Sequence, residues 1–149
     1  MSSANYDFKE TGDLIVEFGA RQPQLEKNKE YVSEVKNVSI QRNVPTSFGM
    51  ADAISIEYHV YKENINGDFD IVIIKQKYFL SKSDQSRFGK MYRSLTGKTP
   101  EGRVNLAELI GKKCSVLIDH YERQNGDIFD NILEVKKLND SFNLKEGMI

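Results

Sequence analysis

His59, Tyr61, Lys75 and Lys77 lie in two runs of alternating apolar and polar residues, while Arg42, Phe48, Tyr121 and Arg123 lie near turns. Cations of this kind neutralise phosphates, and rings of this kind stack on bases at roughly 1–3 kcal/mol each. Lys112 and Lys113 close a basic stretch. From Lys75 to Lys113 ten lysines and arginines face three acids, Asp84, Glu101 and Glu108, a net of +7. The whole chain carries −1, which leaves −8 for the flanks. Such segregation can build a basic surface on a nearly neutral protein. Single-stranded nucleic acid, DNA or RNA, is the ligand this chemistry suits.

Other chemistries find less support. The two histidines, His59 and His120, each fall within a strand-like run, and no Cys/His spacing suggests a metal site. Cys114, the single cysteine, sits in an apolar run and reads as a small buried hydrophobe. It leaves no internal disulfide and suits a reducing cytoplasm. No phosphate-cradling glycine loop and no nucleophile elbow is present. Glu134-Val-Lys136, following Asp127 and Asp130, matches the acid-x-lysine pattern of Mg²⁺-dependent nucleases. With two fixed positions the pattern is short enough to arise by chance. Neither a catalytic role nor a cofactor is expected.

The elements that would position these residues are legible in part. Ala53–Lys62 alternates cleanly, with Ile54, Ile56, Tyr58 and Val60 on one side and Ser55, Glu57, His59 and Tyr61 on the other. Tyr31–Gln41 alternates imperfectly, because Val35 breaks the parity of Val32, Val38 and Ile40. Arg42–Ala51, with Pro45 and Gly49, reads as a loop in which Phe48 either folds back onto the core or stands out as a stacking surface. Phe88, Met91, Tyr92 and Leu95 predict one apolar helix face, capped by Ser81 or Ser83 and ended by Gly97. Asn105 to Glu108 predicts a short second helix with a reciprocal cap. Lys113–Tyr121 and Ile128–Val135 flank Asn125-Gly126 as a hairpin, with Val116 and Ile118 facing Leu133 and Val135.

The loop between Ala53–Lys62 and Asp68–Leu80 sets what faces water. A two-residue Asn66-Gly67 turn puts Lys75 and Lys77 on the face of Ile54 and Ile56, where burying ammonium groups is costly. A three-residue Ile65-Asn-Gly67 loop pairs Val60 with Val72, Tyr58 with Ile74 and Ile54 with Tyr78. Both lysines then face solvent opposite Glu57 and Ser55. Burial favours the second register, which also turns Ile71 and Ile73 outward, where the N-terminal segment or a second copy could cover them.

Three strands, a helical insertion and a two-strand hairpin is the order of the OB-fold, a five-stranded, partly open barrel. Its ligands use the face of the second and third strands and the loops joining strands one to two and four to five. Residues 31–138 are assigned to this barrel. Residues 1–30 are read as an arm with an edge strand at Asp13–Phe18, and residues 139–149 as a frayed tail.

Leu106 to Val116, Gly126 to Ile132, Lys77 to Lys82 and the helix ending Leu95-Thr-Gly97 resemble small bacteriophage proteins identified as single-stranded DNA-binding proteins of replication and recombination modules. The resemblance covers about Tyr31 to Leu138. It implies an OB-fold, action in the cytoplasm of a bacterial host and binding without sequence preference. The chain departs from well-known bacterial single-strand binders in having no tryptophan and no glycine-rich, acidic-tipped tail.

At 149 residues the chain is expected to form one domain. Its start has neither a basic end nor an apolar run, so no secretory leader is expected. The apolar runs are too short to span a bilayer. A non-catalytic protein-interaction or assembly role is the second reading, since OB-folds also bind proteins.

Overall fold

A computed structural model describes residues 14–138. Five strands form one antiparallel sheet: β1 (Glu30–Thr46), β2 (Gly49–Glu63), β3 (Phe69–Phe79), β4 (Lys113–Glu122) and β5 (Ile128–Lys137). Their order in the sheet is β3-β2-β1-β4-β5. One helix, α1 (Arg87–Thr96), and a 3-10 turn (Leu106–Leu109) lie between β3 and β4. The sheet does not close, because β3 and β5 share no ladder. Gln76 of β3 bridges the seam by accepting the Ile132 N–H of β5 at 3.3 Å. Arg87 of α1 donates to the Ile132 carbonyl at 2.9 Å and lies over the Tyr78 ring. Side chains thus satisfy main-chain groups that a fifth ladder, between β3 and β5, would otherwise pair.

The three-residue loop forms. The Asn64 N–H donates to the Asp68 carbonyl, Asn64 Oδ1 accepts from Asn66 and Asp68, and Gly67 takes φ +82°. Tyr58 faces Ile74, Val60 faces Val72 and Ile54 faces Tyr78. Lys75 and Lys77 are exposed. Ile54, Ile56, Tyr58 and Val60 are fully buried, and the Tyr58 and Tyr78 hydroxyls share a hydrogen bond of 2.9 Å inside the core. Burial drives the Tyr78 phenol up to about 12 and the Tyr58 phenol well above its ordinary range.

The broken parity of β1 has a cause. A bulge at Lys36 lets Val35 pair with Tyr58 and Asn37 with Glu57, so Val35, Val38 and Ile40 all face the partners of the core side. A second irregularity between Gln41 and Val44 allows β1 and β2 to run on as a long hairpin. Arg42–Ala51 is therefore not a loop. Only Ser47 and Phe48 lie between the two strands. At the second bulge Asp52 accepts the Asn43 N–H at 3.0 Å and pairs with Arg42 at 3.2 Å, supporting Asn43 at φ +56°.

Helix α1 buries Phe88, Met91, Tyr92 and Leu95 against the open end of the sheet, at roughly 1.5–3 kcal/mol for each large side chain. Its N-cap is Ser86, whose side chain accepts from Gly89. Ser83 instead offers its carbonyl to Ser86, one turn earlier. Gly97 closes the helix at φ +75°. Asn105 caps the 3-10 turn through the Ala107 N–H. Glu108 does not reach back to it; its carboxylate accepts the Tyr92 hydroxyl at 2.6 Å, tying the turn to α1.

In the last hairpin Val116 faces Val135 and Ile118 faces Ile132. Leu133 does not face the core as the sequence suggests. A bulge places it outside, 53% exposed. Residues 14–18 form no strand, and Leu14, Ile15, Val16 and Phe18 are exposed. Residues 21–29 are instead held firmly. Asp127 accepts from Arg21, the Asp130 carboxylate accepts from Gln24 and Leu25, and the Leu25 side chain is buried. His120 Nε2 donates to the Leu25 carbonyl at 2.8 Å. The expected arm at residues 1–13, with Tyr6 and Phe8, and the tail at 139–149, with Phe142, lie outside the described residues.

Candidate nucleic-acid interface

Directly paired residues of an antiparallel sheet project to the same face. The outer face of β4, β1, β2 and β3 can therefore be read in rows. Lys113, Glu34, His59 and Ile73 form one row. Asn37, Glu57 and Lys75 form the next, then Ser39, Ser55 and Lys77, then Gln41, Ala53 and Phe79. His59, Lys75, Lys77 and Lys113, from three separate strands, share this surface. Lys112, exposed, stands next to them, where its carbonyl accepts the Val35 N–H at 2.9 Å.

The face is mixed in charge, and the mixture is ordered. Glu57 accepts from His59 Nε2 at 2.8 Å, and Glu34 takes the Tyr61 hydroxyl at 3.2 Å and Lys36 at 3.4 Å. Both acids are thus engaged on the β1 and β2 side. Lys75 and Lys77 have no carboxylate partner among the described ion pairs. Lys77 Nζ lies 5.4 Å from the Phe79 ring centroid. A ring 45% exposed therefore adjoins a lysine free to meet a phosphate.

Tyr61 does not fit the expected stacking role. It is 7% exposed, and burial, then the neighbouring Glu34 carboxylate, push its phenol up. The exposed ring on this face is Phe79, which the sequence reading passed over as the last residue of an apolar strand. Its position two residues after Lys77 was the available signal. Lys36, the bulge residue, was missed because a bulge leaves no mark in a single sequence.

Phe48 stands at the tip of the β1–β2 hairpin, 99% exposed, so it stacks on nothing in its own core. Thr46 holds the turn by donating to the Gly49 carbonyl and accepting from the Phe48 N–H. Arg42 is tied to Asp52 and reaches the rim of a cleft of about 470 Å³, lined by Ile40, Leu80, Lys82 and Phe88. Phe48, Arg42, Phe79 and Lys77 therefore cluster toward one end of the sheet.

Tyr121 and Arg123 lie toward the other end. The β4–β5 loop packs with residues 20–25, and Gln24 there accepts from Lys62 at the far end of β2. Arg123 stacks over Phe129 at 4.6 Å, as does Arg21 at 4.7 Å. Tyr121 is 57% exposed. The ten residues thus divide into a central face, a hairpin end and a loop end.

The basic stretch divides too. Arg87, Lys90 and Arg93 of α1 line a second cleft of about 450 Å³ against Leu133 and Glu134 of β5. The acids of the nuclease-like pattern do not converge. The Asp130 carboxylate holds Gln24 and Leu25, Asp127 holds Arg21, and Glu134 lies 3.9 Å from Lys136. Among the described residues no group of three His, Cys, Asp or Glu is placed to hold a metal ion. Cys114 is buried, its thiol pushed up to about 12 by that burial. Among the same residues no helix is long and apolar enough to cross a membrane.

Compared with known proteins, the chain matches no family model and no curated protein.

Proposed function

We propose that this chain is an OB-fold protein that binds single-stranded DNA without sequence preference, by the outer face of β2 and β3 and the β1–β2 hairpin. The sheet order β3-β2-β1-β4-β5, with a helix between β3 and β4 at the seam, supports the OB-fold reading. The observation that carries the function is the state of Lys75 and Lys77: exposed, without carboxylate partners, and adjoining Phe79. Lysines so placed exchange counterions for phosphates, and exposed rings stack on bases of any sequence. Phe48 extends the platform beyond the body of the sheet. The protein acts without catalysis or cofactor, in the bacterial cytoplasm, within a phage replication or recombination module.

A mobility shift comparing single-stranded DNA, duplex DNA and RNA at equal salt tests this reading. It expects the single strand to shift at the lowest protein concentration. Equal or stronger shifts by duplex would contradict it. RNA bound as tightly as DNA would widen the ligand to single strands in general.

A protein-assembly role is the second reading. Ile71 and Ile73, each 55% exposed on the same outer face, favour it. The absence of any shift at low salt would decide for assembly.

A further inference from the structure

We propose that residues 14–18 of one copy add as a strand along Ile71–Lys75 of β3 in a second copy, covering Ile71 and Ile73. Three observations converge on this pairing. The run Leu14-Ile-Val-Glu-Phe18 exposes 65%, 75%, 66% and 90% of its four apolar residues. It leaves the body next to Ala20, whose Cβ faces Gly126 of the β4–β5 turn, 3.7 Å from where a side chain there would begin. Gly19 beside it has open space where a side chain would stand, so nothing crowds the run where it leaves the body.

The receiving edge has matching character. β3 ladders with β2 alone among the described strands, so no described strand pairs with the other edge of Ile71–Lys75. Unpaired strand edges accept added strands through main-chain hydrogen bonds, and alternate side chains select the partner. Five residues of extended chain span roughly 17 Å, the same length as Ile71–Lys75.

Charge fixes which side of the run faces which. Glu17 is the one charged residue among 14–18, and burying it over the seam would be costly. It therefore lies on the outer face with Ile15, beside Ile71, Ile73 and the unpartnered Lys75. Leu14, Val16 and Phe18 then fall beside Val72 and Ile74 and extend the core side across the seam. Each copy carries both a run and an edge, so reciprocal exchange closes a two-fold dimer.

The pairing does not depend on the nucleic-acid reading, and sedimentation equilibrium tests it without DNA. The full chain is expected to sediment as a dimer at micromolar concentration. Val16→Glu with Phe18→Glu disables the run, and Ile71→Glu with Ile73→Glu disables the edge. Each variant alone is expected to be monomeric with unchanged circular dichroism, since all four positions are exposed. Mixed in equal amounts, one variant supplies an intact edge and the other an intact run, so dimers are expected to return, weaker than in the parent. A monomeric parent chain, or an undiminished dimer in either variant, would overturn the proposal. So would a mixture that stays monomeric.

Discussion

Glu57 stands directly across from Lys75 on the outer face, yet its carboxylate is held 2.8 Å from His59 Nε2. The lysine is left without an ion partner while an acid sits one strand away. Removing that acid should strengthen the binding of any polyanion. Glu57→Gln is expected to raise affinity for oligo-dT severalfold at low salt and to lose the advantage at high salt, where exposed charges are screened. Fluorescence anisotropy at two salt concentrations checks this. A weakened complex at low salt would place the strand elsewhere.

Lys75→Ala with Lys77→Ala should weaken binding for all sequences alike. If each lysine neutralises one phosphate, the slope of log K against log salt falls by about 1.4, at roughly 0.7 per contact on a single strand. Titrations of oligo-dT and oligo-dC over a salt series read both effects. A loss confined to one sequence would point to base readout instead.

Phe48 and Tyr61 should behave oppositely. Phe48→Ala is expected to cost about 1–3 kcal/mol of binding, the range for a stacked base, with no loss of stability. Tyr61→Phe removes only the bond to Glu34 and should leave affinity within about twofold. Paired binding and thermal-melting measurements separate them. If Phe48→Ala binds as the parent does, the hairpin plays no part.

Alkaline pH should unfold the protein through its core. An unfolded Tyr78 loses its proton near pH 10, whereas the native one keeps it to about 12. Cys114 behaves alike, from about 9 unfolded to about 12 native. Between those limits the unfolded chain binds fewer protons, so stability falls as pH rises. It is fully present below pH 9 and lost progressively toward pH 12. Denaturant midpoints across pH 8–12 test this, and Cys114→Ser should remove the onset below pH 10. A flat profile to pH 12 would contradict the burial of both groups.

Gly89 sits inside α1, where alanine is ordinarily better by roughly 1 kcal/mol. Here an added Cβ would meet the Ser83 carbonyl, a backbone atom of the turn that leads into the Ser86 cap. Gly89→Ala is therefore expected to lower the melting temperature. A raised one would mean the turn yields easily.

The sequence carried the elements whose physics is local or whose burial cost is large. The register of β2 and β3 followed from the price of hiding Lys75 and Lys77, and the helix from the spacing of Phe88, Met91, Tyr92 and Leu95. Bulges were not legible, because one extra residue changes no composition. Lys36, Asn43 and Leu133 all sit at or beside such irregularities, and each reversed an expectation about parity, loop or core. The candidate site was legible as a set of residue types but not as a place. Tyr61 sank against Glu34, Phe79 surfaced beside Lys77, and Tyr121 and Arg123 fell at the far end from Phe48.

The most direct test is a titration of oligo-dT with the parent chain between about 50 and 200 mM salt, beside the Lys75→Ala, Lys77→Ala variant. The parent should bind tightly at the lower salt and weaken steeply with rising salt, and the variant should show both a lower affinity and a shallower slope. Parent and variant curves that coincide, or a parent that fails to bind at 50 mM, would contradict the assignment of a phosphate-facing surface to β3.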